Sequence, residues 1–484
     1  MKVAFISAEV VPFSKTGGLA DVSAAIPKAL NELGHETIII TPLYKSIDQE
    51  IHKIKLVSTN NLAKVGKKEE VLDLYITHLP NTKVPVYFVK NQYLYREGIY
   101  VDTDGIDYKD SPMRFITFTK AVFKILENLE FSPDIIHAND WHTGYLPFYL
   151  RTEFSDSKFF KDTKTIYTIH NIGYQGIYPF ESIEDARIPE IYLEEDLLGF
   201  HKQVNFMKAG IVYSTILTTV SSKYAEEIQT KEFGFGLEKI IQTRKDDLHG
   251  IVHGVDSSIW NPKIDSLIVK NYDSKNLKGK KECKSYLQEK LNLEVSDKPL
   301  LGVITRLATQ KGLYLILKKF DDIMKLGAQF ILLGTGESTL ETQFKKKEEK
   351  YPDDCSINIM FDNVLAHQIE AASDMFLMPS KYEPCGLNQI YSMIYGTVPI
   401  VRKTGGLSDT VQDYDPETKT GSGFVFEKSN TKEFFTALKR AILLYNEEPD
   451  SWKNLTKNIM ELDFSWKKVA KKWQKVYEIA LAKK

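Results

Sequence analysis

A chain of 484 residues with 43% hydrophobic and 26% charged residues is longer than one ordinary core and has a soluble globular composition, so at least two domains are expected. Its formal net charge of -2 excludes a general attraction to nucleic acid or acidic membranes; any anion bound here must meet a local cluster of charge. The three cysteines, Cys283, Cys355 and Cys385, show no CxxC or CxxH spacing, which argues against a disulfide framework or zinc site and fits a reducing cytoplasm.

The first apolar run, VAFIS (3–7), reads as a strand. Glu9 interrupts the run that follows, and no small-residue cleavage site appears, so the segment is not a signal peptide. Next comes KTGGLADV (15–22), a loop opening a helix expected from Gly18–Leu19 to Gly34. Two glycines let a ligand approach the backbone, free N–H groups at a helix start attract an anion, and Lys15 adds a full charge. The pattern is neither a Walker loop nor a GxGxxG fingerprint, and a plain strand-to-helix turn would also explain it.

TIII (37–40), DIIH (134–137), TIYTIH (165–170) and ILTTV (216–220) continue a series of buried strands separated by room for helices, while VLDLYITHL (71–79) and VPVYFV (84–89) suggest an antiparallel pair. HANDWHTG (137–144) and TIHNIGYQG (168–176) follow two of these strands and bring His137, Asp140, His142 and His170 towards one sheet edge. No HExxH or comparable ligand spacing is present, which favours polar groups holding a substrate over a metal site.

A gap of roughly 80 residues without strong parallel-strand signal follows. Within it, HGVDSSIWNP (253–262) is the expected hinge. A second series begins with LLGVIT (300–305) and runs through FILLG (330–334), NIMF (358–361), MFLM (375–378) and VPIV (398–401). RLATQKG (306–312) follows the first of these. Arg306 is one of only eight arginines among 63 basic residues, so it carries weight as a bidentate phosphate ligand, with Lys311 as a point charge beside it. PSKYEPCGLNQIYSMIYG (379–396) sets Glu383 at the mouth of a helix, where it can cap amides or grip sugar hydroxyls. KTGGLSDT (403–410) repeats the first loop almost letter for letter; structure alone accounts for a Gly-Gly corner there. The last segment, 465–484, is an amphipathic helix with Trp466, Val469, Ala470, Trp473, Val476, Tyr477 and Ala480 on one face.

Taken in order, AEVVPFSKTGGLADV, HANDWHTG, IHNIGYQG, TRLATQKGL, KYEPCGLNQIY and GTVPIVRKTGGLSDTV resemble the bacterial glycogen synthase and plant starch synthase family of glycosyltransferases, over nearly the whole chain. The resemblance implies an α/β protein of the GT-B fold: two doubly wound Rossmann-like domains facing a cleft, with the C-terminal helix crossing back to the first. The implied boundaries are 1–252, a hinge at 253–262, 263–462, and a returning helix at 463–484. The implied reaction is transfer of glucose from ADP-glucose, or UDP-glucose, to the non-reducing end of an α-1,4-glucan such as glycogen with retention of configuration, in the cytoplasm, with no cofactor, metal, nucleic acid or membrane involved.

By motif, the resemblance gives catalytic roles to Glu383, His170, Asp140, Arg306 and Lys311. Substrate contacts fall to Lys15, Gly17, Gly18, Asp21, Asn171, Cys385, Gly386 and Leu387. Arg306 and Lys311 would neutralise the departing diphosphate, Glu383 would hold donor glucose hydroxyls, and the His170 backbone carbonyl would face the anomeric carbon. Two positions depart from the pattern. Tyr391 stands where related enzymes often carry a second glutamate, and His253 replaces the usual asparagine of the linker. Another retaining GT-B enzyme, or a glucan-binding scaffold without catalysis, are the rival readings; EPCGLNQIY and the joint presence of Lys15, Arg306, Lys311 and Glu383 oppose them.

Overall fold

The alternation of short apolar runs with amphipathic stretches folds into two mainly parallel sheets, each flanked by helices. The computed structural model describes residues 1–483, which divide into two compact units. One comprises Met1–Val220, Ala225–Ile251 and the residues from Trp466 onwards; the other comprises Ser221–Tyr224 and Val252–Ser465.

The first unit holds β1 (Lys2–Ile6), β2 (Glu36–Pro42), β3 (Lys55–Val65), β4 (Lys68–His78), β5 (Pro85–Lys90), β6 (Ile135–Asn139) and β7 (Lys164–Ile169). It continues with β8 (Ile177–Pro179), β9 (Gly199–Phe200), β10 (Gln203–Asn205), β11 (Ile216–Thr219) and β12 (Leu248–Gly250). Nine of these form one sheet in the order β12-β11-β7-β6-β1-β2-β5-β4-β3, parallel from β12 to β5 and antiparallel at the β5-β4-β3 edge. The antiparallel pair expected from sequence is β4 and β5. Its neighbour β3 was not foreseen, because KLVSTNNLAKV is an edge strand left mostly exposed and lacks a continuous apolar face.

The second unit holds β13 (Leu300–Ile304), β14 (Gln329–Leu333), β15 (Cys355–Asn358), β16 (Met375–Met378), β17 (Val398–Arg402) and β18 (Phe424–Phe426). They form an all-parallel sheet in the order β15-β14-β13-β16-β17-β18. The expected strand NIMF is displaced: the chain pairs over Cys355–Asn358 and leaves the sheet at Ile359, because Asp362 caps the next helix by accepting from Leu365 N–H at 2.9 Å.

The C-terminal helix, Trp466–Ala482, packs into the first unit. Val469, Trp473, Val476, Tyr477 and Ala480 share one buried cluster with Val3, Phe5 and Ile26. The i, i+3, i+4 stripe seen in the sequence is this buried face.

Candidate active site

In open α/β sheets ligands bind beyond the carboxyl ends of the strands, where strand order reverses. In the first unit that reversal lies between β1 and β6. The loop after β1 carries Lys15, Gly17, Gly18 and Asp21, and the loop after β6 carries Asp140. In the second unit it lies between β13 and β16. The loop after β13 carries Arg306 and Lys311, and the loop after β16 carries Glu383. Topology thus gathers the candidate residues into two groups, one in each unit.

In the first group the helix begins at Gly18, so the first-turn amides there lack intrahelical acceptors. Lys15 Nζ lies 2.9 Å from Asp21 Oδ1, and both side chains are partly exposed. Such a pair is worth about 0–1 kcal/mol, so an incoming phosphate can replace the carboxylate.

Asp140 Oδ1 accepts from the His170 backbone N–H at 2.7 Å, which fixes the turn after β6 to the end of β7. The His170 ring in turn meets Asn139 Oδ1 at 2.9 Å, and Asn171 Oδ1 accepts from Gly173 N–H at 3.0 Å. Asp140 has φ 53° and ψ -177°, a region that side chains rarely adopt and that marks functional turns when a non-glycine residue occupies it. His137 stands apart from this group. It is buried between Tyr477 OH (2.6 Å, to Nδ1) and Thr168 Oγ1 (2.6 Å, to Nε2), a core role under the C-terminal helix.

Burial pushes the Asp140 carboxyl up to about 7, against the pull of the His170 and Asn171 N–H groups, and the nearby Glu9 charge adds to the rise. A raised carboxylate makes the fold hold its proton more tightly than the unfolded chain does. Stability is therefore greatest while Asp140 is protonated, falls as pH rises from the ordinary value of about 4 to about 7, and is level above that. Asp140→Asn is expected to flatten this fall and to unfold later than the parent above pH 7, while activity drops. Denaturant titrations of both proteins across pH 4–8 check it.

In the second group, Glu383 Oε2 accepts from Lys311 Nζ at 2.6 Å and from Ser380 Oγ at 2.9 Å, and the residue is 7% exposed. Arg306 is exposed and carries no ion pair among the described residues. Asn388 Nδ2 donates to Ile304 O at 2.6 Å and ties the Glu383 loop to the end of β13. Gly386 adopts φ +70° and turns the chain into the helix Asn388–Ile394, whose start is Leu387. Burial pushes the Cys385 thiol up to about 12, which suits packing beside the site and opposes a nucleophilic role. The His253 backbone N–H reaches that sulfur, and burial holds the His253 ring neutral, far below the ordinary range.

The two KTGGL loops differ where the sequence matches. A Cβ on Gly17 or Gly18 would meet nothing within 4 Å, whereas one on Gly405 would lie 2.0 Å from Glu383 O and one on Gly406 1.9 Å from Cys385 O. Gly406 N–H donates to Glu383 O at 3.0 Å, and Lys403 spends its charge on Glu427 at 2.9 Å. The second loop is a brace for the Glu383 backbone. Gly406→Ala is expected to cost about 1–3 kcal/mol, the usual range for overpacking, and to lower activity with it. Gly18→Ala should leave stability within about 0.5 kcal/mol of the parent and weaken donor binding. Thermal unfolding and donor KM measured on both variants separate the two cases.

Two residues of the first unit escape sequence reasoning. Glu9 figures there only as a break in an apolar run, yet it is buried and bonded to the first KTGGL loop. Tyr100 sits in a segment without a motif, and its hydroxyl donates to the Glu9 carboxylate.

Two Rossmann-like units with cations and a carboxylate at their switch points have the architecture of GT-B glycosyltransferases, and the second unit matches the glycosyl transferases group 1 family over residues 287–459. The starch synthase catalytic domain family matches residues 2–243. Glycogen synthases of Pseudothermotoga lettingae and Fervidobacterium nodosum are each 44% identical to the chain, covering all of it and 100% and 99% of their own lengths. The catalytic domain of Arabidopsis thaliana starch synthase IV, solved bound to ADP and acarbose, superposes with a TM-score of 0.91 at 32% identity over 99% of both chains. The chain belongs to the glycogen and starch synthase family of glycosyltransferases.

Proposed function

We propose that the protein transfers glucose from ADP-glucose to the non-reducing end of an α-1,4-glucan with retention of configuration, and does so in the cytoplasm. The observation that carries the reading is the Lys311–Glu383 pair at 2.6 Å at the switch point of the second sheet, Lys311 sharing its loop with the exposed Arg306. The bond from C1 of glucose to the diphosphate breaks, and the nucleoside diphosphate leaves with the electron pair. The acceptor 4-hydroxyl attacks C1 from the same face, and its proton passes to a diphosphate oxygen. Arg306 and Lys311 neutralise the charge growing on phosphate, while the His170 carbonyl faces the positive charge growing on the sugar. Lys15 and the Gly18 amide hold phosphate, Glu383 holds donor hydroxyls, and Asp140 and Asn171 position sugar. Asp21 is the resting partner that Lys15 leaves, and Gly386 and Leu387 shape the wall around the leaving group.

Incorporation of labelled glucose into glycogen, with ADP-glucose and UDP-glucose offered in competition, tests this. Preferential use of ADP-glucose is expected. Preference for UDP-glucose would overturn the donor assignment, and no incorporation from either would overturn the reaction. Trapping a covalent glucosyl enzyme would overturn the front-face mechanism.

A further inference from the structure

We infer that Glu9 is a positioning residue that preorders the first KTGGL loop for the donor's phosphates and ties it to the Asp140 loop; the inference rests on the donor reading above. Glu9 is 3% exposed, and its carboxylate accepts four hydrogen bonds, three from that loop and one from Tyr100. Oε2 accepts from the backbone N–H of Thr16 at 2.5 Å and of Gly17 at 3.1 Å. Oε1 accepts from Thr16 Oγ1 at 2.7 Å and from the Tyr100 hydroxyl.

The consequences follow from which donors are taken. The Thr16 and Gly17 amides already have an anionic acceptor, so they are committed to holding the loop rather than to a ligand. Gly17 contributes space, with nothing within 4 Å of where its Cβ would be, and the helix-start amides, Gly18 first among them, are the donors left for phosphate. A loop with two adjacent glycines loses much backbone entropy when it is fixed. Glu9 fixes it on folding, so the ligand does not have to, which is the source of affinity in a preorganised site.

The same carboxylate reaches the second candidate loop of the first unit, through Tyr100. The Tyr100 ring stacks on His142 with centroids 4.6 Å apart and planes 17° from parallel. His142 lies in the turn Trp141–Thr143 directly after Asp140. Arg114, fully buried, supports the Tyr100 segment from behind by donating to Tyr93 O at 3.0 Å and Ile99 O at 3.2 Å. Glu9 thus sits where the phosphate-side loop and the sugar-side loop meet.

The test uses the full chain with ADP as probe. Glu9→Ala removes all four acceptor contacts. Glu9→Gln can keep them, because its oxygen still accepts from the two amides and its NH2 group can donate to the Thr16 and Tyr100 hydroxyls. Glu9→Ala is expected to weaken ADP binding and raise donor KM about tenfold or more, with glucan KM within about twofold of the parent, as loss of one or two charge-assisted hydrogen bonds implies. Glu9→Gln should bind ADP within about threefold of the parent. Amide exchange across residues 14–20 should speed up in Glu9→Ala and stay slow in Glu9→Gln.

Unchanged ADP affinity and unchanged exchange in Glu9→Ala would overturn the inference, as would an equal rise in donor and glucan KM, which would mean general distortion. If Glu9→Ala does not fold, Thr16→Val, which removes only the side-chain contact, must weaken ADP binding severalfold or the inference fails. A parent protein that binds no ADP would instead overturn the donor reading, and the exchange comparison would still decide the role of Glu9 in ordering the loop.

Discussion

Replacing Glu383 by glutamine is expected to lower kcat by about 10²–10³-fold while the protein stays folded, the range seen when one preorganised polar group is removed from a reacting centre. Lys311 and Ser380 both donate to Oε2 of Glu383. Neither bond uses Oε1, which under the proposed function accepts from a hydroxyl of the donor glucose. Glutamine satisfies Lys311 and Ser380 with its oxygen and then turns its NH2 group towards the sugar, presenting a donor where an acceptor is required. The loss falls on sugar orientation at the moment of bond breaking, so kcat should fall more than donor KM rises. Steady-state kinetics with thermal unfolding as a control read both. A rise in KM at constant kcat would reduce Glu383 to a binding contact, and a collapse in stability would make it a structural partner of Lys311.

The largest loss of stability is expected from Trp473→Ala. The indole is fully buried in the first unit, with ring centroids 5.1 Å from His137 and 6.2 Å from Tyr477. Truncating a buried tryptophan to alanine costs about 3–5 kcal/mol in lost transfer energy and residual cavity. Tyr477→Phe removes only the hydroxyl that meets His137 at 2.6 Å and should cost about 0.5–1.5 kcal/mol. Urea unfolding followed by circular dichroism ranks the two. Equal small effects would mean that the helix adds little to the core it enters.

Much of this molecule is legible in its letters because parallel strands buried on both faces must be continuous apolar runs. MFLM (375–378) pairs over those same residues, and six of the seven residues of the C-terminal stripe are buried, Trp466 being half-buried at its start. What the letters concealed has physical reasons. β3 is polar because it lies at an open edge. NIMF looked like a strand because it is apolar, yet Phe361 is apolar and exposed. The two KTGGL loops could not be told apart from within, since the difference lies in what stands opposite their glycines: empty space in one, the Glu383 and Cys385 carbonyls in the other. Glu9 was hidden because a lone buried carboxylate in an apolar run reveals nothing of the four donors folded around it.

The helix Trp466–Ala482 also sets an order of events during synthesis. The first unit begins with β1 but fills its core with side chains translated more than two hundred residues after Ile251. At about 5–20 residues per second that is a delay of about 10–40 s. Over this interval the apolar surface around Val3, Phe5 and Ile26 lacks the residues that cover it, while all six strands of the second unit have already been made. The later-encoded unit is the first able to complete itself, and a nascent chain stalled short of Trp466 is the form in which this protein most needs a chaperone.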